Sequence, residues 1–182
     1  MIYLVVVLIL LIVLFSFLLA KSSGIKANLS GLALGIALGL LVGGITLYKM
    51  APDLMMKEDV SKYDFETTVK NFENEVKAAG WSIPTIHDMQ ATLDGFGHKV
   101  DEIKIFELCS SKYSAEILKL NDERVISPMM PCRVSIYTKS DGKTYIGRMN
   151  SGLLAKFFGG VVDEVMKLAA DETEAILEKL IK

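Results

Sequence analysis

The stretch VDEIKIFELCSSKYSAEILKL, residues 100–120, sets a strand directly before a helix, and the fold follows from the change of period within it. Ile103 and Ile105 point to one face of an extended chain and Phe106 and Leu108 supply the other, the pattern of a strand buried on both sides. From Ser111 onward Tyr113, Ile117 and Leu120 recur at three- and four-residue intervals and share the inward edge of a helix, capped by Ser110 or Ser111.

Outward from this unit the chain repeats the theme irregularly. On the N-terminal side, WSIPTIHDMQ (81–90) is extended up to about Met89, with Pro84 confining it to an edge or a bulge, and a short helical turn around Ala91–Phe96 is closed by Gly97. Before it, DFETTVKNFENEVKAAGW (64–81) predicts a helix with Asp64 as N-cap, Phe65, Val69, Phe72 and Val76 on one face, and Gly80 just past its end. A first strand is expected around Val60, in MMKEDVSKY (55–63).

On the C-terminal side a loop from Asn121 to Pro131 leads to CRVSIYTKSDGKTYIGRM (132–149), a hairpin whose Asp141-Gly142 pair supplies the positive backbone angles of a tight turn. A long helix closes the chain, with a break at Gly159-Gly160 and an apolar stripe of Val161, Val165, Leu168, Ile176 and Leu180. Residues 50–182 therefore predict one α+β domain, a mixed or antiparallel sheet covered by helices.

Residues 1–49 have another character. The 182-residue chain is 51% hydrophobic, and the excess sits in two uncharged or nearly uncharged runs, about 2–20 (IYLVVVLILLIVLFSFLLA) and 30–48. About 20 apolar residues suffice to cross a bilayer as a helix. A cleaved secretory signal would want a basic start, which Met1-Ile2-Tyr3 does not offer. The reading is a transmembrane helical hairpin, turned at KSSGIKANLS (21–30), which makes the lipid bilayer a partner and the protein a two-span membrane protein. Lys21 and Lys26 in the turn against Lys49, Lys57 and Lys62 after the second run leave the orientation of the domain open.

Within the second run Gly31, Gly35, Gly39 and Gly43 recur every fourth position, forming a stripe along which another backbone can approach closely. That stripe either receives the first helix of the same chain, or joins copies into a homo-oligomer, or meets a different membrane partner. The first 49 residues hold three lysines and no acid, so 17 basic and 22 acidic groups remain beyond them, a balance of −5. An acidic domain gives no footprint for nucleic acid.

The chain resembles the domain of unknown function 302 family. The resemblance rests on ELCSSKYSAEIL (107–118) and MMPCRVSIYTKSDGKTYI (129–146), separated by a variable loop, and GWSIPTIHDM (80–89) is similar to the membrane-anchored branch of that family. It covers roughly residues 55–177. It implies a compact α/β domain, commonly oligomeric, and no general activity.

Candidate sites come from the residues themselves. Cys109 ends a strand and Cys132 begins one, and they are the two cysteines of the chain. A disulfide, a redox or soft-metal pair, and two inert buried thiols are the competing readings; parallel strands would separate the two residues, and antiparallel strands would let them meet. Met89, Met129, Met130 and Met149 fall at predicted strand ends, with His87 beside the first. Thioether, thiolate and imidazole are ligands for Cu(I) or haem iron, although no CxxC, HxxxH or CxxCH occurs, and methionine also fills gaps in cores.

Arg133 or Arg148 could hold an anion, and a thiol enzyme would pair Cys109 or Cys132 with His87. Asp88, Asp101 and Glu107 read as ordinary acids, and no glycine-rich phosphate loop is present. The expectation is a membrane-anchored, oligomeric, non-catalytic domain that binds a small ligand or cofactor of unknown identity, with candidate residues His87, Met89, Cys109, Met130, Cys132, Arg133 and Met149. Haem- or copper-based redox or sensing is the first alternative, a thiol-dependent enzyme the second, and a structural membrane scaffold the third.

Overall fold

The structure, a computed structural model, describes residues 2–21 and 25–182. The chain divides into two compact units, Met1–Pro52 and Asp53–Lys182.

The first unit contains helix α1 (Ile2–Lys21) and most of helix α2 (Ile25–Met55). Helix α2 is longer than the expected 30–48. Ile25–Ser30, expected as part of the turn, is helical, and residues 22–24 lie outside the described residues. At its other end α2 continues through Pro52 for one further turn, although the proline withholds an N–H from the helical ladder.

Gly31–Met55 is long and apolar enough to cross a membrane by length and composition, with a mean hydropathy of 2.0 over its most apolar 18 residues, and Ile9–Leu18 is a shorter apolar stretch. One span thus meets those criteria among the described residues where the sequence predicts two. A Cβ built on Gly35, Gly39 or Gly43 meets no atom within 4 Å, so among the described residues these glycines receive no closely packed backbone. Docking of the first helix against the stripe, one of the three alternatives, has no contact within 4 Å behind it at these three positions among the described residues.

The second unit is an α+β fold, as the sequence predicts. Its strands are β1 (Met56–Val60), β2 (Ser82–Asp88), β3 (Ile103–Cys109), β4 (Cys132–Thr138) and β5 (Thr144–Met149), in the order β1-β5-β4-β3-β2 with every pair antiparallel. Its helices are α3 (Phe65–Ala78), α4 (Met89–Gly95), α5 (Ser111–Leu118), a 3-10 helix (Asp122–Met129), α6 (Ser151–Ala155) and α7 (Gly160–Leu177). The segment from α5 through the 3-10 helix returns the chain so that β4 runs against β3, which resolves the sheet as antiparallel.

Alternation along the strands separates two faces. One carries Phe106 and Leu108 of β3, Val134 and Ile136 of β4 and Ile146 of β5, all buried beneath Phe65, Val69, Phe72 and Val76 of α3, Ile117 of α5 and Val165, Met166 and Ile176 of α7. Phe72 meets Phe106 edge-on, with ring centroids 5.1 Å apart. Asp64 caps α3 by accepting from the Thr67 N–H, as its position before the first apolar residue requires.

The opposite face differs from expectation. Ile103 and Ile105 are only half-buried, because the helices of an antiparallel domain are free to gather on one side. Strand β2 lies at the sheet edge, and its register slips between Ser82 and Thr85, around Pro84.

Three local expectations are corrected. At the hairpin only Gly142 has positive φ, while Asp141 accepts from the Lys143 N–H. The loop before β4 is a 3-10 helix that buries Ile126. Helix α7 buries Val162, Val165, Met166, Ala169 and Ile176, whereas Val161 and Leu168 face solvent.

Candidate functional site

On the sheet face without buried aliphatic residues, strand register fixes which side chains meet. Glu107 sits opposite Arg133 of β4 and opposite Thr85 of β2, one pair away from His87. His87 Nε2 and Arg133 Nη2 each lie 3.1 Å from Glu107 Oε1. The His87 bond, joined by Arg133 against partial burial, holds the Glu107 carboxyl below its ordinary value. Arg133 remains 62% exposed, so most of its fork faces solvent.

Farther across the same face Tyr137 donates to Glu58, Lys139 Nζ reaches Glu58 Oε2 at 2.6 Å, and the Tyr137 and Tyr145 rings stack with centroids 6.1 Å apart. Burial, and then the hydrogen bond to Glu58, push the Tyr137 hydroxyl upward. Gly147 lies beneath this stack: a Cβ there would stand 2.8 Å from Ser135 Oγ and 3.2 Å from the Tyr137 ring.

The cysteines share one end of adjacent strands. Cys132 faces Leu108, the residue before Cys109, and both thiols are free. Burial, and secondarily the neighbouring Cys109, push the Cys132 thiol up, which disfavours the thiolate a nucleophile needs. Cys109 Sγ lies 3.5 Å from Ser114 Oγ. His87 pairs with Ile105, four residues before Cys109, and is thus roughly 13 Å along the strand from it. The imidazole and the thiols do not form the pair a thiol enzyme would use.

Cys132 borders two clefts. One is lined by Met129, Cys132, Arg133, Arg148 and Met149 among others, and the second by Trp81, Tyr113, Met130 and Cys132. Each holds about 20 Å³, room for one water and not for a porphyrin, so these residues do not fit a haem. Met89 begins α4 instead of joining either cleft, and Met130 precedes a cis bond to Pro131. Among the described residues no group of three His, Cys, Asp or Glu is arranged to hold a metal.

Arg148 is not an open anion site. It is buried, with Nε and Nη2 on Glu174 of α7 at 3.1 and 2.6 Å and Nη1 on Asp59 of β1 at 2.5 Å. Lys57 adds a 3.2 Å contact to Glu174. Burial pushes the Glu174 carboxyl up, and the Arg148 fork and Lys57 outweigh it, leaving it lowered on balance.

Sequence reasoning passed over Glu107 as an ordinary acid. Its signal was available: a carboxylate between Phe106 and Leu108 in a central strand must find partners on the opposite face. Glu58, Tyr137 and Glu174 carried no such local signal.

The family described as domain of unknown function DUF302 matches residues 56–182. The fold is shared with the crystal structure of an uncharacterized conserved DUF302 protein from Bacillus stearothermophilus, at a TM-score of 0.63 and 17% identity, over 69% of this chain and 98% of that one. No curated protein matched the chain.

Proposed function

The chain belongs to the DUF302 family, a domain of unknown function, and from its own residues we propose that it is a membrane-anchored, non-catalytic binding module whose open sheet face receives a small anionic ligand. The observation that carries this reading is the contrast between the two faces of one sheet: helices fill one, and Arg133, oriented by Glu107 beside His87, presents its guanidinium to solvent on the other. Such a planar fork suits a carboxylate or phosphate. Helix α2 supplies the anchor, and the 20 residues of α1, about 30 Å at 1.5 Å each, add a second span. The glycine stripe, which meets no atom within 4 Å at Gly35, Gly39 and Gly43 among the described residues, is the surface for a second copy, giving a homo-oligomer.

The test is thermal unfolding of the full chain in mild detergent with millimolar inorganic phosphate or acetate, at constant ionic strength. A rise in Tm that disappears in Arg133→Gln supports the reading. No rise with either anion counts against it.

A second reading has a specific observation behind it. Met129, Cys132 and Met149 line one cleft, and two thioethers with a thiolate form a soft donor set for Cu(I). Competition with a Cu(I)-selective chromophoric chelator, compared between the wild type and Met149→Leu, decides it: equal copper uptake by both would remove this cleft from consideration.

A further inference from the structure

The start of helix α6 is bonded to the last residues of α2. Asn150, the N-cap of α6, donates its backbone N–H to the Met55 carbonyl at 2.8 Å and its side-chain amide to the Leu54 carbonyl at 3.0 Å. Those are the last two residues of α2. The span Gly31–Met55 has 25 residues, about 37 Å of helix against a hydrocarbon layer of ~30 Å, so its final turn, with Lys49 and Asp53 nearby, ends at headgroup level.

From Asn150 the chain makes one short helix and emerges as Lys156-Phe157-Phe158-Gly159-Gly160. Seven residues at helical rise place Phe157 within about 10 Å of that cap. Phe157 is 82% exposed and Phe158 52%, with Val161 exposed just beyond them. The turn is held in shape: Phe158 N–H bonds Ala155 O at 2.9 Å, Gly159 and Gly160 adopt positive φ, and a Cβ on Gly152 of α6 would sit 3.3 Å from Ala170 of α7. Two adjacent phenylalanines in water are costly, and a lysine beside them matches side chains that enter the boundary between headgroups and acyl chains.

We propose that the Phe157–Phe158 turn is a second, interfacial membrane contact, dipping into the lipid headgroup boundary. The proposal rests on the anchored reading above. Its occupant is lipid, because the turn is continuous, through Asn150, with the end of the membrane-crossing helix.

The test uses the full chain reconstituted into vesicles of phosphatidylcholine brominated near the top of the acyl chains. Wild-type emission comes from Trp81, buried in the domain with its Nε1–H on Glu172, and serves as baseline. Phe157→Trp reports the turn, and Tyr48→Trp, at an exposed position of α2, reports the span. At the ~5–10 Å depth of interfacial side chains, the added Phe157→Trp emission should be blue-shifted and lose roughly half its intensity, as Tyr48→Trp emission is also quenched.

Quenching in Tyr48→Trp with none in Phe157→Trp overturns the proposal and leaves the anchor standing. Blue-shifted but unquenched emission from Phe157→Trp means protein covers the turn and also overturns it. Quenching in neither variant brings down the anchored reading together with the proposal.

Discussion

Gly147 supports the open face by lacking a methyl group. A Cβ there would be crowded by Ser135 Oγ and the edge of the Tyr137 ring. Gly147→Ala should therefore displace that ring from its stack with Tyr145 and from Glu58, destabilising the domain by about 1–3 kcal/mol in denaturant unfolding. An unchanged midpoint would mean the ring yields freely. Nothing in the sequence marked Gly147, because its constraint comes from a residue on the neighbouring strand. The cysteines were partly legible: their places at strand ends were readable, but which ends coincide depended on the direction of β4. With its thiol raised by burial, Cys132 should resist a mild alkylating agent at neutral pH in the folded protein and react on unfolding. Rapid labelling of folded Cys132 would revive the thiol-enzyme alternative.

Between elements, Arg148 ties β5 to α7 and β1. Arg148→Ala leaves Glu174 and Asp59 without their shared cation and should cost roughly 3–5 kcal/mol. The same contact gives a pH dependence of known sign. Glu174 has a folded-state value below its ordinary 4.5, so its contribution is fully present above that pH and is lost as pH falls through the lowered value. The Tm of the wild type should fall more steeply below pH 4.5 than that of Glu174→Gln; parallel curves would show that the carboxylate is not linked to folding in this way. Helix α3 was readable from sequence because cap, apolar face and terminal glycine agree. Helix α7 was readable as a helix, but its inward edge was only half readable: Val165 and Ile176 are buried as expected, while Val161 and Leu168 lose the inward role to Val162, Met166 and Ala169. The tie from Glu174 to Arg148, invisible before the sheet is assembled, accompanies the second choice.

For the whole molecule, composition alone separates an apolar, acid-free N-terminal segment from an acidic α+β domain. The strand order was beyond reach of the sequence, since it depends on β1 pairing with β5 across most of the domain. Assembly through the glycine stripe has a direct test: Gly39→Leu should reduce the particle mass in mild detergent, and an unchanged mass would remove the stripe from assembly. On the anchored reading, the domain would meet its copies at high local density in two dimensions, where bare sheet edges invite neighbouring chains to continue the hydrogen-bond ladder. Both outer strands here are blunted. Strand β1 carries Lys57, Glu58 and Asp59 in succession, and β2 withholds a donor at Pro84 and slips register there. On that reading, crowded copies would thereby be kept from zipping edge to edge into a continuous, amyloid-like ribbon.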